Sequence, residues 1–206
     1  MVVGLGNPGA EYADSRHNVG FLVVEELADR IGAAITRRRH HSLFSRAIMH
    51  GEKIVLVKPL TLMNESGQAV SGWRQALGLE PSRIIVVHDD LDLPTSRLRI
   101  KAGGGHGGHK GVRSIAEALD SADFLRVKVG IGRPHPGHDP VGHVLGSFGD
   151  VERKEVGKAA EQAADAVETV VRDGLREAMN RFNARGARRP GRKDGMEGEG
   201  EGRELI

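Results

Sequence analysis

Apolar positions along the chain follow two rhythms, one of strands and one of helices, and the two alternate. Val2-Val3-Gly4-Leu5 reads as a short first strand ending in glycine. Phe21, Val24, Leu27, Ala28 and Ile31 then recur every three or four residues, which predicts a helix from about Asn18 to Ile31. Two apolar stretches, Leu43 to Met49 and Lys53 to Lys58, predict a hairpin around His50-Gly51-Glu52. A helix from Asn64 to Leu79 is expected, with Ala69, Val70, Trp73, Ala76 and Leu77 inward and Gly78 near its end. Arg83 to His88 carries an unbroken β-branched run, the mark of a buried central strand. A shorter strand over Arg97 to Ala102, a helix over Lys110 to Leu119 and a strand over Phe124 to Ile131 follow. From Asp150 to about Phe182 a stripe of Val156, Ala160, Ala163, Val167, Val170 and Val171 predicts helix, broken in two by Gly174. Strands alternating with helices place the chain in the α/β class with a mixed sheet.

Composition narrows the picture. The 206 residues suit one α/β domain, and with only 3% aromatic residues the core must be filled by Val, Leu, Ile and Ala. Absence of cysteine excludes disulfides, thiolate metal sites and a cysteine nucleophile, and is compatible with a reducing cytoplasm. No apolar run approaches the roughly 20 residues of a membrane helix. Met1 to Gly4 lack the basic and apolar regions of a secretion signal, so a cytoplasmic location is expected. A formal charge of +2 permits a nucleic-acid partner without demanding one; Arg37-Arg38-Arg39-His40-His41 is the conspicuous basic run. Residues 185–206 are rich in Gly, Arg and Glu and are expected to be a disordered tail on a domain of residues 1–184.

Two segments join glycine to histidine: Gly4 to Gly20, and Gly103-Gly104-Gly105-His106-Gly107-Gly108-His109-Lys110-Gly111. Glycine lets backbone N–H groups approach an anion, and histidine moves protons near neutral pH. Gly4-x-Gly6-x-x-Gly9 matches a dinucleotide fingerprint, but Pro8 to Tyr12 separate it from the helix that fingerprint requires, so a turn is the better reading. His17 lies where α/β sheets place ligand crevices. His88-Asp89-Asp90-Leu91-Asp92 ends the central strand; its carboxylates suit either a divalent cation, with His106 and His109, or the orientation of a histidine. No metal signature such as HExxH accompanies them. The glycine loop before a helix, flanked by Lys101 and Lys110, makes a phosphate cradle. Asn64, at a helix start, suits either a cap or an amide offered to substrate.

Taken together, GLGNPGAEYADSRHNVG, KPLTLMNESG, HDDLDLP and GGGHGGHKG resemble the bacterial peptidyl-tRNA hydrolase family, with GIG at 130–132 and VGHVLG at 141–146 in support. The resemblance runs in order from Val2 to about Phe182. It implies a single domain, a twisted mixed β-sheet surrounded by α-helices, that hydrolyses the ester between peptide and tRNA, as a monomer with no metal or organic cofactor. It implies His17 as general base, Asp89 as its orienting carboxylate, and Asn7 and Asn64 as essential site amides. Tyr12 falls on the position that stacks on or bonds the tRNA 3′ end. Leu62, Met63 and His109 match further site positions, and Lys101 and Lys110 are expected to contact phosphate. Lys110 stands where the family commonly has Asn. The segment Gly137-His138-Asp139-Pro140 lacks the basic residues that often precede the stretch matched by Val141 to Gly146. The alternative is a non-catalytic RNA-binding protein on the same fold.

Overall fold

The computed structural model describes residues 1–183; the expected tail over 185–206 lies outside the described residues. Seven strands form one mixed sheet: β1 (Val2–Gly4), β2 (Arg37–Arg39), β3 (Ser42–Met49), β4 (Glu52–Pro59), β5 (Ile85–Asp90), β6 (Leu98–Ala102) and β7 (Leu125–Gly130), in the order β2-β3-β4-β1-β5-β7-β6. The central strands β4, β1, β5 and β7 are parallel, and antiparallel β2, β3 and β6 complete the edges. The mixed α/β architecture expected from the alternating pattern is the one observed.

Six helices cover the sheet: α1 (Val19–Arg30), α2 (Ser66–Leu77), α3 (Lys110–Leu119), α4 (Pro140–Leu145), α5 (Asp150–Asp173) and α6 (Leu175–Asn183). Helices α1, α5 and α6 build the core of one face with Val2, Leu56, Val87 and Val127; α2 and α3 build the other with Val3, Leu5, Val86 and Trp73. The alternation of the strands therefore decides which core each residue serves. From β1 the chain leaves over one face through α1, and it enters β5 over the other through α2. Neighbouring parallel strands thus have connections on opposite sides, and a crevice opens beyond their carboxyl ends.

Three elements differ from the sequence expectation. Arg37–Arg39 form an edge strand although all three are exposed and show no alternation. Pro140–Leu145 form a short helix, started by Asp139, whose carboxylate accepts from the N–H groups of Val141 and Gly142 at 2.9 and 2.8 Å. Strand β5 runs on through Asp89 and Asp90, opposite Val129 and Gly130 of β7, so Asp89 is held in a ladder and not in a loop.

One close approach sets the start of α1. A Cβ on Gly20 would stand 2.4 Å from the Leu5 nitrogen and 2.5 Å from the Val87 oxygen. Only glycine lets the first turn of α1 lie directly on β1 and β5. Gly157 of α5, by contrast, has open space around its Cβ position. Gly20→Ala is expected to cost about 3 kcal/mol through overpacking, whereas Gly157→Ala is expected to add about 0.5–1 kcal/mol by removing glycine from a helix interior. Urea unfolding of the two variants checks both signs.

Candidate active site

The cleft lies at the carboxyl ends of β1 and β5 and has a volume of about 460 Å³. Asn7, Tyr12, His17, Leu62, Met63, Asn64, Asp89, His109 and Lys110 all line it, so the first segment, the KPLTLMNESG segment, the end of β5 and the glycine loop meet there. Lys101 does not line it; its Nζ lies against Gly104.

Two imidazoles converge on one carboxylate oxygen. His17 sits on a short 3₁₀ turn, Arg16–Asn18, just before α1. Its Nδ1 lies 2.7 Å from Oδ1 of Asp89, and His109 Nε2 lies 3.0 Å from the same atom. His109 is the N-cap of α3, and its Nδ1 accepts from the N–H groups of Gly111 and Val112 at 3.1 and 3.2 Å. That acceptor role puts the His109 proton on Nε2, where it is donated to Asp89. His17 likewise donates from Nδ1, which leaves Nε2 with a free lone pair. His17 is 8% exposed and Asp89 only 2%. Burial alone would raise the Asp89 pKa, but the hydrogen bonds and charge of His109 and His17 hold it well below the usual carboxylate range.

Beside this pair stands His88, fully enclosed, which donates from Nδ1 to the Asp89 carbonyl oxygen at 2.7 Å. Its Nε2 is buried without a partner. Burial, with His109 close by, keeps its pKa well below the ordinary histidine value, so it stays neutral.

Asn7 is fixed by a residue the sequence reading missed. Asn18 accepts from the Asn7 N–H at 2.7 Å and donates from Nδ2 to the Asn7 carbonyl at 3.0 Å. Asn18 precedes α1 but makes no side-chain cap bond; its amide is spent on the β1 end. Asn7 Oδ1 in turn accepts the Met63 N–H at 2.8 Å, which leaves the Asn7 NH₂ group as the part offered to the cleft. Asn64 is exposed on the 3₁₀ turn Met63–Glu65; no side-chain cap bond closes the start of α2, so capping is not its role.

Two further features escaped the sequence reading. Arg16 forms a bidentate pair with Glu152 of α5, at 2.8 and 2.6 Å, and donates to the His143 carbonyl of α4 at 3.2 Å. These bonds tie the turn that carries His17 to the apolar wall of α4, where Val141, Val144 and Leu145 line the cleft. The Asp139-Pro140 pair, an N-cap followed by Pro at the first helical position, was the available signal for that helix.

Among the described residues, Asp90, Asp92 and His106 do not gather into a metal-ligating group. Asp90 pairs with Lys128 and Asp92 with Arg133, while His106 accepts from the Gly108 N–H. The group that does converge is His17, Asp89 and His109, whose candidate ligand atoms lie within 4.8 Å of one another. A cation on His109 Nε2 would force the ring proton onto Nδ1, facing two backbone N–H donors. As arranged, the donor set makes hydrogen bonds to the Asp89 carboxylate.

The profile described as peptidyl-tRNA hydrolase matches residues 1–190. A curated peptidyl-tRNA hydrolase of Nocardia farcinica is 48% identical over 185 residues, 89% of this chain and 95% of that protein. One of Frankia alni is 46% identical over 184 residues, 89% of this chain and 93% of that protein. The crystal structure of peptidyl-tRNA hydrolase from Acinetobacter baumannii superposes with a TM-score of 0.84 at 39% identity, covering 89% of this chain and 93% of that one.

Asp89→Asn keeps the shape of the hub and removes its charge. The variant is expected to lose about 2 kcal/mol at pH 7, because hydrogen bonds to a charged group are the stronger ones. Asp89 has a depressed pKa in the folded state, so its contribution is complete above the unfolded value near 4 and is lost as pH falls below it. The stability gap between wild type and variant, followed by urea unfolding, is expected to narrow below about pH 4.

Proposed function

The chain belongs to the peptidyl-tRNA hydrolase family and hydrolyses the ester that joins peptide to tRNA, and we propose that it does so with His17 as general base and with no metal. The observation that carries this reading is the shared Asp89 oxygen. It occupies Nδ1 of His17 and leaves Nε2 to take a proton from water. The water oxygen adds to the ester carbonyl carbon, and the ribose oxygen then leaves with the proton held by His17. Asp89 keeps the tautomer and stabilises the imidazolium formed midway. His109 gives the same carboxylate a second donor and so keeps it ionised and in place. A good leaving group makes one base sufficient.

Asn7 supports a choice between substrates. Its oxygen is taken by Met63, so it meets the substrate as a donor. A peptide carbonyl accepts from it; the ammonium of a free aminoacyl group has nothing to accept with, and two donors face each other. Asn64 is unencumbered in the same cleft and suits the oxyanion. Tyr12, Leu62 and Met63 supply the surface for the 3′ adenosine and the neighbouring peptide. Lys110, at the first position of α3, adds charge for phosphate. Lys101 contributes from outside the cleft. A monomer is taken as the working unit in this reading. No helix among the described residues is long and apolar enough to cross a membrane, in keeping with a cytoplasmic enzyme of translation.

A non-catalytic RNA binder on this fold is the second reading, and it has no use for the His17–Asp89–His109 arrangement. The test is hydrolysis of an N-blocked aminoacyl-tRNA beside its unblocked counterpart, with EDTA present. Wild type is expected to cleave only the blocked ester. His17→Ala is expected to lose about 10²–10⁴-fold in kcat with tRNA binding kept. Turnover retained by the variant removes the general base, and inhibition by EDTA removes the metal-free mechanism.

Lys110→Ala is expected to weaken tRNA binding and to lower the slope of log affinity against log salt by about 0.9, one phosphate's share. Binding measured between 50 and 200 mM salt, as a rough range, checks it; an unchanged slope removes the contact.

A further inference from the structure

The basic run Arg37–His41 has no part in the cleft. It folds into the edge strand β2 and the two-residue turn, His40-His41, that joins Arg39 to its partner Ser42 in β3. Both histidines have left-handed backbone, with φ of 47° and 52°. Turns of this shape ordinarily hold Asn-Gly or a similar pair, because a side chain makes that backbone costly. Here the turn is nailed down instead. Trp73 Nε1 donates to Ser42 Oγ at 2.9 Å, and that hydroxyl donates to the Arg39 carbonyl at 2.6 Å. The Leu60 N–H donates to the His41 carbonyl at 2.7 Å. The His40 ring meets Trp73 edge-on at 5.1 Å, and the Arg39 guanidinium lies over the same indole at 5.9 Å.

Between this turn and Leu60-Thr61 a notch of about 390 Å³ opens, walled by Arg38, Arg39, His40 and His41 and by no carboxylate. None of Arg37, Arg38 and Arg39 forms an ion pair among the described residues. Two buried polar atoms of the wall, His40 Nε2 and Thr61 Oγ1, have no hydrogen-bond partner. Arginines on an edge strand discourage pairing with another sheet. That accounts for charge on β2 but not for a strained His-His turn or for unpaired polar atoms. Strain of this kind is kept where the site has a use for it. Unpaired guanidinium groups and buried polar atoms on one wall suit an anion.

Position says which anion. Thr61 is followed directly by Leu62, Met63 and Asn64 of the cleft wall, so the notch and the cleft share one stretch of chain. Of the two halves of peptidyl-tRNA, only the RNA carries a negative charge at every residue. We propose that the notch between the β2–β3 turn and Thr61 is a phosphate site that takes a backbone phosphate of the bound tRNA. This rests on the reading of the cleft as a peptidyl-tRNA esterase.

Two variants test it, Arg38→Ala and His41→Gly, the second of which also relieves the left-handed backbone. Each is measured with full-length N-blocked aminoacyl-tRNA and with the same blocked aminoacyl group esterified to adenosine alone. Both variants are expected to raise KM for the tRNA substrate roughly 3- to 10-fold and to keep kcat, and Arg38→Ala, which removes a fixed charge, is expected to lower the salt slope by about 0.9. Cleavage of the adenosine ester stays unchanged, and the melting temperature of His41→Gly rises. A turn with only a structural role would gain stability and lose nothing. An unchanged KM and salt slope for tRNA overturns the site. Equal losses on both esters also overturn it, since the change would then travel through the cleft wall. Binding of deacylated tRNA separates this from the parent reading. Wild type that binds tRNA without cleaving either ester removes the esterase alone, while Arg38→Ala that binds as tightly as wild type removes the notch.

Discussion

Asp89 Oδ1 accepts from two imidazoles at once, and the placement of everything else in the cleft answers to it. A buried carboxylate is costly unless it is paired and hydrogen-bonded. Two N–H donors meet that demand, and each of them is then fixed in tautomer. His109 is further fixed from its other nitrogen by the start of α3, and His17 rides on a turn packed at the start of α1. The hub therefore locks two helix N-termini, one from each face of the sheet, to the end of the central strand. Structural and chemical demands coincide: what stabilises the buried charge also bares Nε2 of His17.

The supporting contacts show how an exposed lone pair becomes a positioned one. Gly20 brings α1 onto the strands, which sets the height of His17 above Asp89. Gly111 does the same for α3, where a Cβ would stand 2.5 Å from Met63 Sδ and 2.9 Å from Leu5 Cδ1. Asn18 pins Asn7, Asn7 pins Met63, and the cleft wall inherits its position from β1. Arg16 joins the same turn to Glu152 and α4. Strands, helices and wall are thus referenced to one another through short polar links in an otherwise aliphatic molecule.

Much of this was legible in the sequence, and the remainder has physical reasons. The α/β class followed from apolar spacing. His17, Asp89, Asn7 and His109 stood in glycine-rich or strand-end segments and Asn64 at a helix start, and the structure gathers them into one cleft. Asn18 was read only as a helix start, because nothing local tells a capping side chain from one spent on the Asn7 backbone 11 residues earlier. The Arg16–Glu152 pair spans 136 residues, a distance over which one sequence shows no pattern. Strand β2 was hidden because three exposed arginines have no alternation to display. The β-branched run that marked β5 stops short of the two aspartates, yet the ladder with β7 carries on through both. Lys101 was placed in the site by proximity in sequence to the glycine loop, yet its Nζ lies against Gly104 and it does not line the cleft.

The parallel order β4-β1-β5-β7 has a consequence for how the molecule comes into being. Asn7, His17, Asp89 and His109 are far apart in the chain, and the strand that carries Asp89 is inserted between β1 and β7. During synthesis from the amino terminus, no fragment that ends before β7 can hold the hub in a closed ladder. Parallel pairings of such long range form late and slowly. Activity is therefore all-or-nothing along the folding route, and its first appearance in a refolding experiment is a clock for completion of the sheet.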